Sequence, residues 1–178
     1  MARLIALLRG VNLGPSKRVK MAELRDVLTA AGYDDVRTLV NSGNVVMTSR
    51  KRPATVENEV ARLIADELGV STSVMVRTRD ELADAIARNP YPEADERPKH
   101  VHVAFLKGDV DPERVAALQA ADFGDEAFEI SGRELFAWHP RGLADSDLAK
   151  ALTKGVGADA TSRNWNTVTK LLQLADEG

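Results

Sequence analysis

Basic and amide side chains surround two glycines near the start of the chain, directly after a short apolar run. The glycines are Gly10 and Gly14, and the side chains that could contact a ligand are Arg9, Asn12, Lys17 and Lys20. In phosphate-binding loops, a strand leads into a glycine-containing loop and a helix, so that amides, a helix N-terminus and a lysine converge on negative charge. We therefore expect an anion-binding loop here. The alternative is an ordinary turn that the side chain of Asn12 stabilises.

The spacing of this loop differs from that of a Walker A loop. A Walker A loop has four residues between its glycines and then Lys followed by Ser or Thr. Here three residues separate Gly10 from Gly14, and Lys17 comes later. The pattern therefore indicates an anion site without identifying a nucleoside triphosphatase.

A second polar group, residues 41–44 (NSGN), has the composition of a tight turn between two strands. Asn and Gly are favoured in hairpin turns because they tolerate positive φ. Ser42 and Asn44 could contact a ligand, but taken alone this stretch is better explained as a hairpin.

A third polar group lies near the end of the chain, where a short strand precedes the last helix. Its members are Arg163, Asn164, Asn166, Thr167 and Lys170. Asn and Thr are common caps at helix starts, which is the simpler explanation. Arg together with several amides also suits a phosphate or carboxylate. We expect the first and third groups to lie close together, at the junction of two halves of the protein, because ligand sites favour such interfaces.

No residue pattern identifies a catalytic or metal-binding group. His100 and His102 share one face of a predicted strand without a third ligand nearby, and His139 ends a strand with no evident partner. The chain has no cysteine, and Ser42 does not lie in a Gly-x-Ser-x-Gly elbow. We expect no metal site. The cofactor and any reaction stay unassigned.

The predicted elements that position these residues repeat in two halves. Residues 1–88 are expected to form β-α-β-β-α-β followed by a connecting helix, and residues 100–178 repeat that order and end in a helix. The stretch 89–99 is rich in proline and charge, as linkers often are. The sequence thus predicts an α+β protein of two tandem ferredoxin-like βαββαβ halves packed together.

The composition is that of an ordinary globular protein, with 44% hydrophobic and 29% charged residues. A net charge of -3 argues against a dedicated nucleic-acid coat protein, although residues 1–20 hold five cations and no acid. No apolar run approaches the roughly 20 residues that a membrane-spanning helix requires. With no signal peptide apparent, we expect a cytoplasmic protein without a membrane partner.

Four stretches resemble a known family: residues 7–14 (LLRGVNLG), 21–24 (MAEL), 41–46 (NSGNVV) and 163–170 (RNWNTVTK). They are similar to the domain-of-unknown-function family 1697, which comprises uncharacterised bacterial proteins. The resemblance spans nearly the whole chain and implies two ferredoxin-like halves, but no established activity. Family members often carry a second glycine after the position of Gly14. Here that residue is Pro15, which removes one backbone N–H from the loop.

These observations favour a protein or enzyme that binds a small anionic ligand, phosphorylated or nucleotide-like. Binding of single-stranded nucleic acid is a less favoured alternative, since it would require exposed aromatic rings on a sheet and aromatic residues make up only 4% of the chain. A structural or protein-interaction module without a ligand is the other alternative. The oligomeric state stays unassigned.

Overall fold

The computed structural model describes residues 1–178, in which eight strands and six α-helices alternate along the chain. The strands are β1 (Ala2–Leu8), β2 (Asp34–Thr38), β3 (Asn44–Ser49), β4 (Val74–Thr78), β5 (Val101–Lys107), β6 (Ala127–Ser131), β7 (Glu134–Trp138) and β8 (Asp159–Asn164). The helices are α1 (Met21–Ala30), α2 (Pro53–Leu68), α3 (Arg79–Ala87), α4 (Pro112–Ala120), α5 (Asp147–Thr153) and α6 (Trp165–Asp176). The strands form two four-stranded antiparallel sheets, which confirms the α+β class.

The chain divides into two compact units. Unit 1 comprises Met1–Ile86 together with Thr169–Gly178, and unit 2 comprises Ala87–Val168. This division differs from the predicted one at the C-terminus, where the sequence pattern placed all of the last helix in the second half. Within unit 1, Nε of Arg79 donates a 2.7 Å hydrogen bond to the Asp176 carboxylate in an ion pair, which helps to explain why the last segment belongs to this unit.

Unit 1 is built on a sheet with the strand order β2-β3-β1-β4. Every residue of the run 4–8 in β1 is fully buried, as the short apolar run predicts. Leu4, Ala6 and Leu8 belong to a core to which α1 and α2 contribute a row of apolar side chains, namely Leu24, Leu28, Val56, Val60 and Ile64. Burial of each large aliphatic side chain contributes roughly 1.5–3 kcal/mol, so this core fixes the end of β1 and the loop that follows.

The ends of α2 follow directly from its sequence. Pro53 occupies the first helical position, where its missing N–H costs nothing. Gly69 ends the helix at φ 68°, a left-handed conformation that glycine adopts without a steric penalty. Proline and glycine at these positions predict a helix that starts at Pro53 and stops at Gly69, and both ends are confirmed.

One predicted strand lies two residues earlier than expected. The apolar pattern predicts a strand over residues 36–40, whereas β2 covers Asp34–Thr38. The reason lies in the turn: Val40 has φ 51°, which no strand residue adopts, and the Leu39 N–H donates to the Asn44 carbonyl. Leu39 and Val40 thus belong to the turn that precedes β3.

Unit 2 is built on a sheet with the strand order β6-β7-β5-β8. Its core contains Leu106 and Leu135 from the sheet and Leu148 from α5. The predicted linker 89–99 is ordered and contains a short 3-10 helix, Pro92–Ala94. Before it, the Arg88 guanidinium donates to a carboxylate oxygen of Glu134 at 2.7 Å.

None of the helices combines the length and the apolar character needed to cross a lipid bilayer.

Candidate anion-binding site

The loop between β1 and α1, residues 9–20, is fixed by the side chain of Asn12, and we call it the Asn12 loop. The Asn12 amide nitrogen donates to the carbonyls of Val19 (2.8 Å) and Asn41 (2.7 Å). Its oxygen accepts the Val19 N–H at 2.9 Å, and its own backbone N–H donates to the Lys17 carbonyl at 3.0 Å. Every polar atom of this amide is therefore used within the protein, and Asn12 holds the loop rather than a ligand.

The same loop is attached to the turn of residues 39–44 by a close backbone approach. The Leu8 N–H donates to the Gly43 carbonyl at 2.8 Å. A Cβ atom at Gly43 would lie 2.6 Å from Cβ of Leu8 and 2.8 Å from Cγ2 of Val11, and the residue has φ 81°. Only glycine meets both conditions. The first and second polar groups of the sequence thus come together in one place.

Positive φ values concentrate at this end of unit 1. Asn12 (58°), Lys17 (52°) and Val40 (51°) adopt them without being glycine, in addition to Gly10 and Gly43. A left-handed conformation is uncommon outside glycine and costs most for a β-branched residue such as Val40. Such strain is frequently found where a protein contacts a ligand.

Four cations extend from the Asn12 loop into solvent: Arg9, Lys17, Arg18 and Lys20. Lys17 and Arg18 form no ion pair with the protein, and Lys20 lies 3.5 Å from the exposed carboxylate of Glu23. The exposed side chains of Lys17 and Arg18 on a fixed loop create a local positive potential in a chain whose net charge is negative.

The N-terminus of α1 follows the loop without a side-chain cap. Lys20 occupies the N-cap position, and its side chain makes no cap hydrogen bond. The first intrahelical bond is donated by the Leu24 N–H to the Lys20 carbonyl. The N–H groups of the first turn have no capping side chain, so the helix end adds partial positive charge beside the loop cations.

Ser42 and Asn44 serve the turn. Asn44 is fully buried, and its amide donates to the Leu39 carbonyl and to the Ser42 hydroxyl. This arrangement matches the hairpin explanation for these two residues.

The third polar group lies in β8 and at the start of α6. Arg163 is buried, and its guanidinium donates to the Thr161 hydroxyl (2.6 Å) and to the Ser162 carbonyl (2.8 Å). Burial lowers the pKa of Arg163 to about 10. The Asn164 side chain accepts the Thr167 N–H at 2.9 Å and so caps α6. Asn166 is half-buried, and Lys170 is exposed.

Unit 2 also contains a buried polar cluster, Glu126, His139 and Ser146, that the sequence pattern did not reveal. His139, for which the sequence offered no evident partner, is only 2% exposed and lies 2.9 Å from both Glu126 and Ser146. The Ser146 hydroxyl donates to the Glu126 carboxylate and accepts the Ala149 N–H. Burial acts to raise the pKa of Glu126, but hydrogen bonds from Ser146, His139 and the backbone outweigh it and hold the pKa below its usual value.

The geometry of this cluster is not that of a hydrolase triad. In such a triad the acid and the nucleophile use opposite nitrogens of the histidine. Here the Ser146 hydroxyl and the Glu126 carboxylate both lie 2.9 Å from Nδ1 of His139. The cluster therefore fixes the N-terminus of α5. A sequence signal existed, since serine is a favoured N-cap residue and Ser146 directly precedes α5, although the predicted helix began at about Asp145.

His102 lies next to this cluster. Its ring centroid is 5.4 Å from that of His139, and its Nδ1 atom is buried without a hydrogen-bond partner. Burial, and then the proximity of His139 and His100, lowers the pKa of His102 to about 4. No group of three His, Asp or Glu side chains is arranged to hold a metal ion.

A solved structure has the same overall fold as this chain, and neither it nor the matching family has an assigned activity. The chain is similar over its length to the conserved bacterial protein SP0830 from Streptococcus pneumoniae, with a TM-score of 0.80, 24% identity and 98% of each chain covered. No curated protein matches the sequence. A family model, "Protein of unknown function (DUF1697)", matches residues 1–136. This match covers the Asn12 loop, the whole sheet of unit 1 and more than half of unit 2, and the chain therefore belongs to the DUF1697 family.

Proposed function

We propose that this protein binds a small anionic, phosphorylated ligand on the Asn12 loop of unit 1. The observation that carries the proposal is the pair Lys17 and Arg18, two exposed cations without an ion-pair partner on a loop that Asn12 fixes. A loop that is already fixed loses little conformational entropy when it binds a ligand, which favours affinity for a compact anion. The proposal concerns binding and assigns no reaction.

The uncapped start of α1 supports the same ligand class. Anions are stabilised near a helix N-terminus, and this helix has ten residues and begins directly after the loop. Pro15 removes one N–H from the loop itself, so side-chain cations and the helix end would supply most of the contacts.

We also propose the finer description of each unit as a ferredoxin-like βαββαβ half. The element order of both units and the central positions of β1 and β5 in their sheets support it. A cytoplasmic location is part of the proposal, supported by the absence of cysteine in a chain of 178 residues.

Binding of single-stranded nucleic acid through aromatic rings on a sheet is the weaker candidate. Phe105 and Phe136 are fully buried, so neither ring is available to stack on a base. A polyanion could still contact the loop cations, and the experiment below separates the two ligand classes.

The test is to titrate the protein with inorganic phosphate, pyrophosphate and ribose 5-phosphate, and to measure binding by calorimetry and by thermal unfolding. A ligand at about ten times its Kd stabilises the native state by about 1.4 kcal/mol. We expect the double variant Lys17→Ala/Arg18→Ala to lose this effect. The matched control is Arg50→Ala/Arg62→Ala, which also removes two exposed cations of unit 1.

Equal loss of binding in both double variants would show a nonspecific effect of net charge and would overturn the proposal. If none of the three anions binds, the proposal is overturned as well. Tight binding of an oligonucleotide alone, with a steep dependence on salt, would favour the nucleic-acid alternative.

A further inference from the structure

Two large aliphatic side chains are exposed at the same end of unit 1 as the loop cations. Leu13 is 82% exposed and Val40 is 59% exposed. Each is the chain neighbour of a residue in the Asn12–Asn41 hydrogen bond, which joins the two segments at 2.7 Å. The two exposed aliphatic residues therefore lie beside the two ends of this hydrogen bond, and Leu13 shares the Asn12 loop with Lys17 and Arg18.

Val40 has no structural reason to be valine. Its side chain packs little against unit 1, and its φ of 51° is unfavourable for a β-branched residue. Asn or Gly would satisfy the same turn with less strain. A residue that breaks a local rule without a gain in packing is expected where the protein contacts a ligand.

The combined surface has two chemistries, and its ligand should have both. We propose that the ligand is a phosphate ester with a flat aromatic group, of the nucleoside monophosphate class. Its phosphate contacts Lys17 and Arg18, and one face of its base packs on Leu13 and Val40. A sugar phosphate would match the cations but would gain nothing from the aliphatic side chains, because its hydroxyl groups prefer water. This inference rests on the proposed anion site and adds the nature of the organic group.

The test compares the affinities of adenosine 5′-monophosphate and ribose 5-phosphate, which differ only in the base. We expect the nucleotide to bind at least about tenfold more tightly, since burial of apolar surface favours binding. In the double variant Leu13→Ser/Val40→Thr, affinity for the nucleotide should fall to that for ribose 5-phosphate, while affinity for ribose 5-phosphate stays unchanged. Thr preserves the β-branch and backbone preference of Val40, so the fold is retained.

Leu143→Ser is the matched control, because Leu143 is a 49% exposed leucine of unit 2. It should leave both affinities unchanged. Equal affinities for the two ligands, or a nucleotide affinity unaffected by the double variant, would overturn the inference while the anion site stood. If the unsubstituted protein binds neither ligand, the anion site itself is overturned. Much tighter binding of an eight-nucleotide strand than of the mononucleotide would also overturn the inference, in favour of a polymer.

Discussion

The side-chain amide of Asn12 donates a 2.7 Å hydrogen bond to the backbone carbonyl of Asn41, 29 residues later in the chain. This bond joins the loop after β1 to the turn before β3. It places a cationic segment and a strained turn side by side, so the geometry of the proposed site depends on one amide.

Replacing Asn12 should therefore affect both stability and ligand binding. Asn12→Asp keeps the oxygen that accepts the Val19 N–H but loses both N–H donors and sets a carboxylate against two carbonyls. We expect a loss of about 2–3 kcal/mol in the free energy of unfolding, measured by urea denaturation. Ser16→Asp adds the same charge at an exposed position of the loop and should cost little stability. Equal losses in the two variants would show that charge, not the hydrogen bonds, matters.

Gly43→Ala tests the close approach of the turn to β1. The added Cβ would lie 2.6 Å from Cβ of Leu8, at a residue with φ 81°. We expect a loss of about 3 kcal/mol or more, since overpacking adds to the conformational penalty. Gly32→Ala is the matched control, with φ 90° and open space around the added atom, and should cost only about 1 kcal/mol. A smaller loss at Gly43 than at Gly32 would contradict the described contact.

Val40→Asn should stabilise the protein. Asn tolerates the left-handed conformation, whereas valine at φ 51° carries a strain of about 1 kcal/mol. We expect a Tm higher by a few degrees, checked by calorimetry. Val40→Ala removes the β-branch but should raise the Tm by less, because alanine cannot form the local hydrogen bonds that favour Asn in this conformation. A lower Tm for Val40→Asn would show that the valine side chain stabilises the turn.

His102 should make the protein less stable in mild acid. Its pKa is about 4 in the folded state and about 6.5 when unfolded, so between these values the unfolded chain binds the extra proton. As far as His102 is concerned, the free energy of unfolding is therefore highest above pH 6.5 and is lower by about 3 kcal/mol when the pH has fallen to 4. His102→Phe should reduce the pH dependence of the unfolding free energy over this range. His100→Gln leaves His102 in place and removes only the smallest of the three causes that lower its pKa, so most of this pH dependence should remain. An unchanged slope in His102→Phe would contradict the assignment.

Ser146→Ala should destabilise unit 2 through the buried cluster. It removes the N-cap of α5 and a hydrogen-bond donor to the buried Glu126 carboxylate. We expect a loss of about 2–3 kcal/mol, since a lost cap and an underpartnered buried group both cost stability. The neighbouring exposed Asp145→Ala should change the unfolding free energy by less than about 0.5 kcal/mol. A fall in the unfolding free energy of Asp145→Ala but not of Ser146→Ala would contradict the hydrogen bonds described for this cluster.

Element types could be predicted from the sequence because local rules agree with the fold. The apolar run of β1, the Pro53 and Gly69 boundaries of α2 and the Asp111 cap of α4 each carry their own signal. Where the prediction differed, at β2, a valine that the apolar pattern assigns to the strand lies in the turn instead. A pattern of apolar residues contains no information about a positive φ at Val40.

The candidate site could be predicted only in part. Glycines, amides and cations indicated the Asn12 loop, but not that Asn12 would use all its polar atoms internally or that residues 41–44 would join it. The buried cluster around His139 was missed because its partners Glu126 and Ser146 are 13 and 7 residues away in opposite directions. The expected proximity of Arg9 and Arg163 stays a prediction.

Unit 1 is discontinuous in the chain, since Thr169–Gly178 belongs to it although all of unit 2 comes in between. During synthesis the ribosome therefore completes unit 2 before it releases the last segment of unit 1. The Arg79–Asp176 ion pair can form only after residue 176 has left the exit tunnel. A nascent chain that stops after unit 2 would carry a finished second unit beside an unfinished first one, and no single cut in the chain would separate the two units intact.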